Sequence, residues 1–178
     1  MKPTIEQVID AIRAHFPDAI VAQDTEYDFN VLTVKKDSVV PILTFLFKDE
    51  NFQFRYLTTL CGLHFPDSEK PFGIMCQVHS LVNNLRLRFK SFTTANEIHF
   101  DTLTGLFPAA NWMEREAFDF FGIRFHGHPN LKRIYNVDDM DYHPLRKEYP
   151  VEDRTRYDKD DTMFGRAKSG FDKKRLND

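Results

Sequence analysis

The stretch Asn83-Asn84-Leu85-Arg86-Leu87-Arg88-Phe89-Lys90 decides the fold. Leu85, Leu87 and Phe89 alternate with Arg86, Arg88 and Lys90, the two-residue period of a strand with one apolar and one charged face. Asn tolerates positive φ, so Asn83-Asn84 predicts a tight hairpin turn feeding this strand, which spans Leu85 to Phe92. A sheet built on such a strand has one buried and one exposed side.

Two further strands precede it. Phe52 to Leu63 is rich in aromatics and Thr, and Phe72 to Leu81 follows a Pro-Asp-Ser loop. Before them, Val39 to Phe47 is a nine-residue apolar run with Pro41 near its start. Capped by Asp37 or Ser38, it reads as a helix reaching about Lys48, with Pro41 tolerated in its first turn. Ala19 to Gln23 and Phe29 to Lys35 read as two strands. Thr4 with Gln7 forms a capping box, followed by Ile5, Val8, Ile9, Ile12 and Phe16 at helical spacing, with Pro17 closing the helix. The order is helix, two strands, helix, three strands. It predicts an α+β, two-layer domain with helices packed on one face of a mixed sheet.

A third helix is expected from about Asn111. Asn111 and Glu114 repeat the capping pattern, Met113, Ala117, Phe120 and Phe121 form the apolar stripe, and Gly122 is a left-handed stop. Arg115 lies four residues before Asp119 and is expected to pair with it. Beyond Gly122 the chain becomes Pro-punctuated and densely charged. Three regions follow: an α+β domain over 1–122, an extended segment over 123–150, and a polar tail over 151–178. That tail holds 8 Lys+Arg and 7 Asp+Glu. It cannot bury enough surface to fold alone, so it is either disordered or ordered along another protein.

Composition narrows the function. The chain has 178 residues, 42% hydrophobic and 29% charged, with a net charge of −3. That balance argues against a general nucleic-acid footprint. The 18 Phe imply a large apolar core or apolar surface kept for a partner. No run approaches the ~18 apolar residues of a membrane span. No signal or transit sequence is visible, so a cytoplasmic location is the default expectation. Cys61 and Cys76 are too few for a disulfide framework and read as buried reduced thiols. Phosphate-binding Gly motifs and nucleophile elbows are absent.

Three clusters invite chemistry. Glu114, Arg115, Glu116 and Asp119 contain two carboxylates, but Glu114 and Glu116 are two apart and point to opposite sides of a helix, so an acid/base pair is disfavoured. His126 and His128, with His143 as a third donor, could begin a zinc or copper site. The His-Pro steps His128-Pro129 and His143-Pro144 suggest turns whose imidazoles bond backbone instead. Arg86, Arg88 and Lys90 could face single-stranded RNA, yet the aromatic consensus of an RNA-recognition sheet is missing. No convincing active site emerges; the profile is that of a subunit.

One resemblance is specific. Glu114, Arg115, Glu116, Asp119, Gly122, Ile123 and Phe125, followed by His143-Pro144-Leu145-Arg146-Lys147, resemble the family of the C subunit of NADH-quinone oxidoreductase, the cofactor-free hydrophilic subunit of respiratory complex I. The likeness covers about residues 1–155. Met140, Asp141 and Tyr142 stand where that family carries Trp-x-Gly, and Glu148 stands for its usual Asp. The resemblance implies a structural subunit of a proton-translocating complex that passes electrons from NADH to quinone. It implies no catalytic residue, metal or cofactor on this chain, with NADH, flavin, iron–sulfur clusters and quinone carried by partner subunits. It places the chain against the larger quinone-site subunit and neighbouring hydrophilic-arm subunits, peripheral on the cytoplasmic side of the bacterial inner membrane. No nucleic-acid contact is implied. Glu114, Arg115, Glu116, Asp119, His128, Arg133, His143, Arg146 and Lys147 become expected partner-facing residues. An equivalent subunit of a membrane-bound hydrogenase-type complex is the alternative within the same arm, and an RNA-binding α+β module is the alternative of another class.

Overall fold

The computed structural model describes residues 2–149. Helix α1 (Ile5–His15) leads into strands β1 (Ile20–Glu26) and β2 (Phe29–Val34). A 3₁₀ turn at Lys36–Ser38 enters helix α2 (Val39–Lys48). Strands β3 (Tyr56–His64), β4 (Phe72–Ser80) and β5 (Leu85–Thr93) follow, then β6 (His99–Asp101), helix α3 (Ala110–Phe121) and β7 (Arg124–His126). Strands β1 to β5 form one sheet in the order β1-β2-β5-β4-β3, mixed because β2 and β5 run parallel. Strands β6 and β7 form a small parallel pair.

The expected α+β architecture is present. Leu87 and Phe89 of β5, Ile74, Cys76 and Val78 of β4 and Leu32 of β2 share one core with Val8 and Ile12 of α1 and Ile42, Leu43 and Leu46 of α2. Arg88 and Lys90 lie on the other side of the sheet, as the alternation requires. The Thr4–Gln7 capping box forms with both reciprocal bonds. Asn84 takes the left-handed conformation, φ 55°, before β5.

Several local expectations are corrected. Strand β3 starts at Tyr56, not Phe52, because the Asp49 carboxylate accepts the backbone N–H of Asn51 and Phe52 and folds that stretch into a turn. Phe54 is thereby buried, its N–H on the Leu46 carbonyl. Neither Asp37 nor Ser38 caps α2; the 3₁₀ turn delivers the chain into it without a side-chain bond. Asn111 does not cap α3, which begins at Ala110 out of a turn closed by Ala110 N–H on the Phe107 carbonyl. The boundary expected at 122 falls inside the packed domain, since Ile123 and Phe125 belong to the core. Cys76 is buried and Cys61 half-buried, both free. The expectations for the tail 151–178 lie outside the described residues.

Helix α3 lies close against β3 at Gly62. A Cβ there would stand 2.5 Å from the Phe121 ring, so a residue without a side chain permits the approach.

Candidate partner interface on helix α3 and its strap

After β7 the chain turns at Gly127 (φ 78°) and runs back over α3 as a strap, residues 131–149. The C-terminal end of a helix leaves carbonyls without intrahelical partners and carries partial negative charge. Here the strap supplies the missing donors. Arg133 donates to the Asp119 carbonyl at 3.1 Å, Leu145 N–H to Phe120 at 3.1 Å, and Arg146 Nε to Phe121 at 2.7 Å. His143 Nδ1 lies 2.9 Å from the Asp119 carbonyl and so must carry the proton. Gly122 ends the helix in the left-handed conformation, as expected, φ 74°.

Asp119 organises the strap's first half. Its carboxylate is fully buried and accepts from Arg133 at 2.8 Å, from the backbone N–H of Ile134, Tyr135 and Asn136, and from the Asn136 side chain. Burial alone would raise its pKa. The N–H groups of Tyr135, Asn136 and Ile134 and the Arg133 guanidinium outweigh that and hold the carboxyl far below its ordinary value. Arg133 also reaches the carbonyls of Met140 and Tyr142.

The remaining motif residues have separate places. Arg115 does not pair with Asp119. It donates to the carbonyls of Lys132 and Arg133 and lies over the Trp112 ring. Glu114 is fully buried and accepts from Leu103 N–H and the Thr102 hydroxyl, both at 2.6 Å. It ties α3 to the loop before it rather than capping the helix. Glu116 is exposed. Lys147 is exposed, its amine 5.8 Å from the Phe65 ring centre.

The sequence profile described as "Respiratory-chain NADH dehydrogenase, 30 Kd subunit" matches residues 32–155, a span holding α2, strands β3 to β5, α3 and the strap. The chain belongs to that family. Among its relatives, the C subunit of the NADH-quinone oxidoreductase of Azorhizobium caulinodans is 34% identical over 151 residues, 85% of this chain and 71% of the relative. That of Roseiflexus sp. (strain RS-1) is 37% identical over 145 residues, 81% of this chain and 83% of the relative. Two solved structures share the fold. A trypsin-resistant fragment of Nqo5 superposes with a TM-score of 0.61 at 23% identity, over 71% of this chain and 98% of the fragment. A chain of the archaeal membrane-bound sulfane sulfur reductase gives 0.68 at 18% identity, over 82% and 85%.

In this respiratory-chain NADH dehydrogenase subunit the expected interface residues divide into three groups, with His128 apart. Glu114 and Asp119 are enclosed by their own chain and cannot touch a partner. Arg115, Arg133, His143 and Arg146 are half-buried and hold the strap, while Glu116 and Lys147 face out. His128 spends both nitrogens locally: Nδ1 accepts Asn130 N–H and Nε2 donates to the Asn111 carbonyl. His126 stands against His99 instead, ring centres 4.6 Å apart, so the H-x-H pair does not converge. Among the described residues no group of three or more His, Cys, Asp or Glu is placed to hold a metal ion. The basic face of β5 is tied down as well: Lys90 meets both oxygens of Glu26 at 2.6 and 2.7 Å, and Arg88 bonds Gln77.

Large apolar side chains also face out on the strap and α3, among charged ones such as Lys132, Asp138, Asp139 and Glu148. Trp112 is 59% exposed, Tyr135 68%, Val137 63% and Leu145 53%. These were not among the sequence-derived candidates; the signal was an aromatic or branched residue at non-periodic positions inside a charged segment. His64, which bonds the strap from the end of β3, was also missed. It sits on the apolar face of a strand pattern and reads there as packing.

Proposed function

We propose that the chain serves its NADH-quinone oxidoreductase as an assembly subunit, docking through α3 and the strap on the larger subunit that forms the quinone site. The supporting observation is a division of labour. The motif's polar groups are used internally to fix the strap, while α3 presents Trp112 and the strap presents Tyr135, Val137 and Leu145 outward. Exposed aromatic and aliphatic anchors on a backbone held by buried hydrogen bonds are the features of a protein–protein contact. In this reading no residue of this chain does chemistry, and NADH, flavin, iron–sulfur clusters and quinone reside on partner subunits. The chain would then be peripheral to the cytoplasmic side of the membrane. None of the described helices is long and apolar enough to cross one.

The test replaces Tyr135 and Leu145 by Asp together in the native host. The tagged chain is purified from mild-detergent membranes, with NADH:quinone activity assayed on the assembly recovered. We expect at least tenfold less chain in the large particle, with unchanged turnover per assembled particle and unchanged stability of the free chain. Normal incorporation would overturn the docking face. Normal incorporation with lost turnover would also overturn the scaffold role. A large particle that lacks NADH activity from the start would favour the hydrogenase-type alternative.

A further inference from the structure

His64 ends β3, is 7% exposed, and stacks on Phe72 of β4 with ring centres 4.5 Å apart and planes 15° apart. Its Nδ1 receives the backbone N–H of Lys147 at 3.0 Å. A backbone N–H only donates, so Nδ1 must be bare and the neutral ring carries its proton on Nε2. That nitrogen faces the Glu148 carboxylate at 3.6 Å. The charged groups around the ring all come from the strap: Glu148, Arg146 and Lys147. From β4 it meets the Phe72 ring, over which Arg146 also lies at 4.9 Å.

We propose that His64 is a proton-operated latch, holding the C-terminal end of the strap while neutral and releasing it on protonation. A second proton has one place to go, Nδ1, and there it meets the Lys147 N–H head on. The bond becomes a donor–donor clash. Glu148 gains a charge partner, but burial comes first among the influences on the ring, and Arg146 and Lys147 add to it against the charged form. Together they hold the imidazole below its ordinary 6.5. His143, the imidazole carried by the strap itself, makes the opposite demand. Its Nδ1 donates to a carbonyl, so protonation leaves that bond in place. The latch therefore belongs to His64 alone of the two. Opening exposes the ring and takes up one proton. Its equilibrium constant should rise by up to tenfold per pH unit between 6.5 and the lowered value of the closed state.

The latch does not rest on the interface proposed above, and it is tested on the full chain without a partner. Hydrogen exchange is followed by mass spectrometry from about pH 7.5 to 5.5 and corrected for the intrinsic rate. Peptides spanning 143–149 are expected to lose protection as pH falls, while those of β4 and β5 keep theirs. His64→Asn places a non-titrating acceptor near Nδ1, and the strap should then stay protected across the range. Equal protection of the wild-type strap at both ends of the range overturns the proposal, and so does unchanged pH dependence in H64N. The His64 imidazole is also titrated by NMR in the wild-type chain, a measurement that needs no variant to fold. Its midpoint must coincide with that of strap opening, and a mismatch overturns the latch.

Discussion

Arg133 meets Asp119 at 2.8 Å across fourteen residues of chain, and the same guanidinium reaches the carbonyls of Asp119, Met140 and Tyr142. One buried ion pair therefore closes the chain reversal that lays the strap over α3. Removing one partner of such a pair leaves the other charge buried and uncompensated, at a cost of about 3–5 kcal/mol. Asp119→Ala should lose that much in urea denaturation and should change Trp112 fluorescence through Arg115, which bridges the indole and the strap. Because the folded-state pKa is depressed, this stabilisation is present above the ordinary Asp value of 3.8 and is lost as pH falls below it. Asp119→Asn should flatten that acid limb. An unchanged limb would mean the pair contributes nothing.

This pair also marks where reading the sequence stops. The Thr4–Gln7 box, the α1 stripe, the β5 alternation and the Gly122 stop are all set within one turn or one pleat, and all four were legible. The partner of Asp119 was not. Arg115 sits one turn away and is the local choice, but the turn at Gly127 brings Arg133 instead, and Arg115 is drawn to the carbonyls the strap delivers. Glu114 misled for the same reason. Its position three after Asn111 matches a cap, while its partners Thr102 and Leu103 come from a loop that only the β6–β7 pairing positions. The parallel β2–β5 pairing carries no local sign at all, because the crossover passes through α2, β3 and β4.

Gly122 tests the seat of the strap. An added Cβ would meet the Arg146 guanidinium and lie 2.6 Å from His143 Cδ2, at a φ of 74°. The left-handed conformation costs an L-residue about 1–2 kcal/mol, and forcing aside packed neighbours adds about 1–3 kcal/mol. Gly122→Ala should therefore be strongly destabilising and should raise proteolysis within 131–149. Gly105→Ala is the control, since nothing lies within 4 Å of its Cβ position. It should stay within about 0.5 kcal/mol of wild type. Equal effects at the two sites would show that the strap is not seated on Gly122.

Glu26 gives the contrast in depth. It takes both Lys90 bonds and lies 3.6 Å from Arg88, yet its side chain is 37% exposed. The Lys90 hydrogen bond lowers its pKa, so its contribution is present above 4.5 and fades as pH falls. Solvent screening keeps such a pair within about 1 kcal/mol. Glu26→Gln should cost no more than that in thermal melts, and the difference should shrink further at high salt. A loss matching that of Asp119→Ala would show that burial does not govern these pairs.

Glu114 makes the opposite demand on pH. Its hydrogen-bond partners are neutral, and burial, partly offset by the Thr102 and Leu103 bonds, pushes its pKa up to about 7 from 4.5. The folded chain then holds this proton more tightly than the unfolded chain does. Between those two values stability must fall as pH rises, and above about 7 the loss is complete. In the acid form the Oε2–H group can donate to Thr102 Oγ1, whose own hydroxyl then donates to Thr104 Oγ1 at 2.9 Å, so every group stays bonded. Gln is the neutral mimic: its Oε1 still accepts Leu103 N–H and its amide donates to Thr102. Glu114→Gln should match wild type within about 1 kcal/mol at pH 5, a size typical of exchanging one neutral hydrogen bond for another. At pH 8 it should be the more stable by on the order of 2 kcal/mol, in keeping with about 1.4 kcal/mol per unit of pKa shift. Urea midpoints of both proteins across that range decide it. Parallel curves would show that Glu114 stays ionised in the fold and that the two short bonds from Thr102 and Leu103 outweigh its burial.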